Sequence, residues 1–126
     1  MNDLAIFSIA SQRTRWLAAS SATLADNIAN ADSPGYIARE VVPFDAALAE
    51  AGLAVAQSSH GHMAPSAAEA RSVQSVPRQG VLGKHSGNSV NLESEVMALG
   101  DVRSQHMKVT GIVGAFNRML LSVSKG

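Results

Sequence analysis

Asp26-Asn27-Ile28-Ala29-Asn30-Ala31-Asp32-Ser33-Pro34-Gly35-Tyr36 (DNIANADSPGY, residues 26–36) closes a stretch with helical spacing and opens one without it. Asn and Asp favour helix ends because their side chains compete for backbone hydrogen bonds. Pro34 pushes Ser33 out of the helical region. Ser33-Pro34-Gly35-Tyr36 fits a type II turn, with Pro at the second position and Gly supplying a positive φ at the third. The stretch therefore ends one long helix and redirects the chain.

Upstream of it, Phe7, Ala10, Thr14, Leu17, Ser21, Leu24 and Ile28 fall at alternating steps of three and four. That is a heptad-type seam diluted by small polar residues, with no Gly or Pro inside it. It predicts a helix over residues 2–30, roughly 40 Å long at 1.5 Å per residue. Downstream, residues 31–90 hold all four prolines and most of the glycines, and read as an irregular, turn-rich segment. Ala46 to Ala56 is Ala-rich and predicts a short helix. Val41-Val42 and Val73 to Val76 predict short extended pieces.

Helical spacing resumes over residues 91–126, with Leu92, Glu95, Leu99, Val102, His106, Val109, Val113, Phe116, Leu120 and Val123 on one seam. Asn91 is the expected N-cap. Glu93 and Glu95 stand where the helix dipole favours anions, and every charge after Asp101 is basic. Gly100, Gly111 and Gly114 each weaken the helix by about 1 kcal/mol relative to Ala. Neither long helix would be stable alone in water, so each seam must be covered. The expected fold is mainly α: two long terminal helices paired antiparallel as a coiled-coil-like hairpin around an irregular middle. Two helices leave much of each other's surface open, so other copies or other proteins are expected to cover the rest. Ala18, Ala19, Ala22 and Ala25 permit close approach there.

Composition narrows the function. Ten basic and ten acidic residues give a formal net charge of zero, which removes the electrostatic case for nucleic acid. The chain has no Cys, so a disulfide framework and a thiolate metal site are excluded. No apolar run approaches a bilayer span. The first residues lack the basic and apolar regions of a secretory signal, so export, if it occurs, is expected without a cleaved signal peptide.

Asn27-Ile28-Ala29-Asn30-Ala31-Asp32-Ser33-Pro34-Gly35-Tyr36 resembles the N-terminal signature A-N-N-I-A-N-x-x-T-P-G-Y of bacterial flagellar axial proteins, the rod, hook and hook-associated group. Ser33 stands where Thr is usual, and Ile37 where Lys often follows the Tyr. Gly87-Asn88-Ser89-Val90-Asn91-Leu92-Glu93-Ser94-Glu95 resembles G-N-x-V-x-L-E-x-E, which opens the C-terminal helix in the basal-body rod branch of that group. The resemblance covers both terminal helices.

It implies a non-enzymatic structural subunit of the proximal rod, exported by the flagellar type III apparatus and built into the axial tube by helix packing. The implied partners are copies of itself, other rod proteins, and components of the inner-membrane ring and export gate. The implied location is the periplasmic rod of the basal body. The resemblance assigns Asn27, Asn30, Pro34, Gly35 and Tyr36 to the helix-end turn, and Asn88, Asn91, Leu92 and Glu93 to the start of the second leg. Phe7, Leu17, Leu24, Ile28, Leu99, Val102, Val109, Val113, Phe116 and Leu120 are the expected inter-helix seam. The alternatives are a helical-hairpin adaptor or another axial component.

Chemical readings are weaker. His60 and His62 flank Gly61, but a closed metal site needs three or four ligands and the nearest acid in sequence is Glu69. Gly80 to His85 lacks both the spacing of a phosphate loop and its Ser or Thr. Glu93 and Glu95 lie on different faces of a helix, and read as dipole partners rather than a catalytic pair. His106, on the seam, reads as a packed, hydrogen-bonded histidine. No catalytic residue, cofactor, metal or small-molecule substrate is expected.

Overall fold

A computed structural model of the chain describes residues 3–55, 73–80 and 83–124. Five elements follow in order: α1 (Asp3–Ala29), β1 (Arg39–Val41), α2 (Phe44–Val55), β2 (Ser75–Pro77) and α3 (Leu92–Ser124). The fold is mainly helical. α1 and α3 lie antiparallel: Phe7 meets Phe116 edge-on with ring centroids 5.6 Å apart, Arg13 donates to Gln105, and Asn27 donates to Glu95. The paired helices are the hairpin that the two seams require.

The ends of both helices follow from local chemistry. The Asn91 side chain accepts from the Ser94 amide at 3.2 Å, the expected N-cap of α3. α1 stops at Ala29, where the Asn30 amide is shared between the carbonyls of Asp26 and Asn27. The chain then turns at Ser33–Tyr36. The Tyr36 amide bonds the Ser33 carbonyl at 3.3 Å and Gly35 takes φ 73°, the left-handed conformation that this position of the turn demands.

The two extended pieces pair with each other. β1 and β2 form an antiparallel ribbon with Arg39 opposite Pro77, Glu40 opposite Val76 and Val41 opposite Ser75. Flanking bonds from Arg78 N to Ala38 O and from Val42 N to Gln74 O lengthen it. A two-stranded ribbon is marginal alone, and this one lies along α1. α2 begins two residues before the expected Ala46. Phe44 at its start packs edge-on against Trp16, whose indole N–H donates to the Val42 carbonyl at 2.7 Å. The Arg13 guanidinium lies 4.7 Å from the centroids of both rings, so one cation ties α1, α2 and α3.

The core is small and extends from the middle of α1 to the closed end of the hairpin. Its buried apolar residues are Leu17, Leu24, Ala38 and Val90, and its buried polar residues are Ser20, Thr23, Asn27, Asn88 and Glu95. Leu17 marks the middle of α1, and the others lie in the half of the hairpin toward its closed end, where α1 stops and α3 starts. The seam weakens toward the open end: Phe7, Val109, Val113 and Phe116 are half-buried and Leu120 is 37% exposed. Since Phe7 is level with Phe116, α1 hardly reaches Leu120. His106 is exposed and not packed as expected; Gln105 takes the inward place beside it, held by Arg13. No described helix is long and apolar enough to cross a membrane.

Candidate functional site

The two sequence stretches that carry the resemblance meet at the closed end of the hairpin. The Gly35 amide donates to the Ser86 carbonyl at 3.0 Å, and the Ser89 amide to the Tyr36 carbonyl at 3.0 Å. The Ala38 amide donates to Ser89 Oγ at 2.8 Å. Gly87 takes φ 76°, and a Cβ there would lie 3.4 Å from the Gly35 Cα. Two glycines therefore let the two loops approach backbone to backbone.

Asn88 completes the end of α1 from across the junction. Its Nδ2 donates to the carbonyls of Asn30 at 2.8 Å and Ser33 at 2.7 Å, each of which also accepts a backbone amide of the turn, so the side chain clamps the turn that follows α1. Its Oδ1 accepts from the Val90 amide at 2.7 Å, which sets the approach to α3. Asn30 holds the other side: its Nδ2 donates to the Asp26 carbonyl and its Oδ1 accepts from the Ser33 hydroxyl.

Asn27 joins the junction to the ribbon and to α3. Its Oδ1 accepts from the Arg39 amide at 2.9 Å and the Tyr36 hydroxyl at 3.2 Å. Its Nδ2 donates to the Arg39 carbonyl at 2.8 Å and to Glu95 Oε2 at 2.9 Å. The side-chain amide thus pairs with Arg39 as a neighbouring strand would, and covers that edge of β1. Glu95, 1% exposed, receives the Arg78 guanidinium on its other oxygen, and Arg78 also reaches Glu40 at 3.4 Å. The hydrogen bond that Arg78 donates to Glu95 is the main cause that raises the Arg78 pKa above its ordinary value, so the guanidinium stays charged. Among the described residues no buried side-chain polar atom lacks a partner.

Of the residues assigned by resemblance, Asn27 and Asn88 are buried, Asn30 and Tyr36 are half-buried, and Pro34, Gly35, Asn91, Leu92 and Glu93 face outward. On the seam, Leu17 and Leu24 are buried, while Ile28, Leu99 and Val102 are half-buried. The sequence reading missed two members. Glu95 was assigned to the dipole with Glu93, yet it turns inward as a hydrogen-bond and ion-pair hub. The available signal was its place on the seam. Arg78 carried no signal, because its partner is set by the ribbon that brings β2 beside α3.

The arrangement is built to hold two chain segments in register. A shallow depression beside it is lined by Trp16, Thr23, Leu24, Arg39, Arg78 and Val102 among others. Among the described residues no three His, Cys, Asp or Glu side chains gather as a metal site would need. His60, His62 and Glu69 lie outside the described residues.

No protein-family model matches the chain. The flagellar basal body rod protein FlgB of Agrobacterium fabrum is 31% identical to it over 129 residues, which span 99% of this chain and 96% of that protein. The similarity takes in both legs and the junction that locks them, and the chain belongs to the flagellar basal body rod protein FlgB family.

Proposed function

We propose that this chain is a structural subunit of the flagellar basal-body rod, placed in its proximal part, and that it works by helix packing. The observation that carries the reading is the end-to-end similarity to a basal body rod protein. The form of the molecule supports it. The legs cover only one face of each other, and large apolar side chains such as Ile9, Val96, Met107 and Ile112 stay between 47% and 75% exposed. Surfaces of that kind mark contacts with other proteins.

In this reading the hairpin is one stave of the axial tube, next to copies of itself and other rod proteins. At its base it meets the inner-membrane ring and export gate. The subunit reaches the periplasmic rod through the flagellar export apparatus without a cleaved signal. Asn27, Asn30, Pro34, Gly35, Tyr36, Asn88, Asn91, Leu92 and Glu93 set the angle between the legs and the middle segment; the seam residues hold the legs together.

The deciding experiment deletes the gene. Loss of flagella and of swimming, with both restored by the intact gene on a plasmid, is the expected result. A deletion strain that keeps its flagella overturns the reading. Recovery of the chain as a cytosolic one-to-one complex that is never exported would instead favour the hairpin adaptor.

A further inference from the structure

The β1–β2 ribbon has two edges, and its register fixes which backbone groups face out of each. Glu40 lies opposite Val76, and the flanking bonds run from Arg78 N to Ala38 O and from Val42 N to Gln74 O. In an antiparallel pair the ladder bonds fall at every second residue pair, so the backbone groups of Glu40 and Val76 face each other. Those of Arg39 and Val41 point out of one edge, and those of Ser75 and Pro77 out of the other. Outward groups of this kind are a template for any further strand.

Both edges are met by side chains. The β1 edge lies along α1, and the Asn27 amide takes both the N–H and the carbonyl of Arg39. On the β2 edge Pro77 has no N–H to offer, which is why proline is tolerated at such a place. Arg39 crosses the ribbon to that same edge. Its Nη2 donates to the Ser75 carbonyl at 2.7 Å, and its Nε donates to Ser75 Oγ at 3.1 Å. A strand approaching β2 would meet a carbonyl already taken, then a position without a donor, and a guanidinium charge beside them. Arg39 is exposed, so these bonds add only modestly to the stability of the fold. Their place on the edge is what sets them apart.

We infer that Arg39 and Pro77 close the outer edge of β2 against a second copy of the chain, so that the ribbon stays two-stranded. Were the edge open, β2 of one copy beside β2 of another would be a self-complementary antiparallel pairing, the same patch on both partners. It would join two ribbons into one continuous sheet. A strand of three residues has a weakly specified register, so such pairing would also slip.

The test uses the purified full chain. Arg39→Ala with Pro77→Val frees the Ser75 carbonyl and adds an outward N–H, while Asn27 keeps its bonds to the backbone of residue 39. Circular dichroism checks helix content, analytical ultracentrifugation reads size over a concentration series, and the infrared amide band reads strands paired between molecules. The double variant is expected to shift to dimers and larger species with the intermolecular-strand band. Arg39→Ala alone is expected to do so only at higher concentration, and the parent to show no such band. Gly35→Ala is the control: it strains the turn and leaves both edges closed, so it is expected to match the parent. Parent-like spectra for both edge variants overturn the proposal. A Gly35→Ala chain that gains the band overturns it as well, because lost stability and not an opened edge would then drive association. So does a parent that already carries the band. If the double variant loses helix content, Arg39→Ala alone decides between these outcomes.

Discussion

Asn27 makes four hydrogen bonds with one side-chain amide, and the chemistry of its partners fixes its orientation: oxygen toward two donors, nitrogen toward two acceptors. No other residue of that size offers both. Asn27→Ala leaves the Arg39 backbone and one Glu95 oxygen unpaired and is expected to destabilise the fold by about 2 kcal/mol. Asn27→Asp is expected to be worse at neutral pH despite its near-identical shape, because a second carboxylate then faces Glu95 and the Arg39 carbonyl. Urea melts followed by circular dichroism rank the two; equal midpoints would contradict this account of the junction. Arg78 acts through the same hub. Its removal strands a buried carboxylate, so Arg78→Ala is expected to lose about 3 kcal/mol. Glu95→Gln keeps an acceptor for Asn27 and is expected to lose less. In a double-mutant cycle the pair should couple; additive losses would mean that the ion pair is not what holds β2 against α3.

At the scale of elements, the long helices were legible because their periodicity is sustained and their ends are chemically marked. Residues 2–30 and 91–126 were expected, and Asp3–Ala29 and Leu92–Ser124 are found. The extended pieces near Val41 and Val76 were also legible, but their pairing was not, since a three-residue strand carries no register of its own. Glu95 escaped for a related reason: periodicity says that a position faces inward, and not whether it is filled by a hydrocarbon or by a satisfied polar hub. The loops between elements lean on two glycines in unequal ways. Gly35 has positive φ with open space around it, whereas Gly87 has positive φ and the Gly35 backbone at 3.4 Å. Gly35→Ala is expected to lose about 1 kcal/mol from left-handed strain alone. Gly87→Ala adds a displaced contact between the loops, and a larger loss of stability is expected. Thermal midpoints of the two variants check the order; a Gly35 variant less stable than the Gly87 variant would show that the close approach carries no weight.

On the scale of the whole molecule, the uneven core has a dynamic consequence. Among the described residues the buried ones run from Leu17, at the middle of α1, to the closed end, while the open end is held by the Phe7–Phe116 contact and half-buried seam residues. Local opening free energies follow buried apolar contact and shielded backbone hydrogen bonds. The subunit is therefore expected to be held at the junction and to fray at its free helix ends until neighbours cover them. Hydrogen exchange on the purified chain tests this. Amides of residues 17–27 and 95–102 should exchange most slowly, those of residues 3–10 and 113–124 fastest, and the gradient should follow distance from the junction rather than position in either helix. Leu121→Ser with Val123→Ser supplies the complementary arm. Both side chains are more than half exposed in the isolated subunit, so the urea midpoint should move by no more than about 0.5 kcal/mol. If those side chains become buried between subunits, swimming should fail in the same variant. A frayed junction with firm helix tips would overturn the polarised-core account, because the buried residues that distinguish the two ends would then not be what orders them.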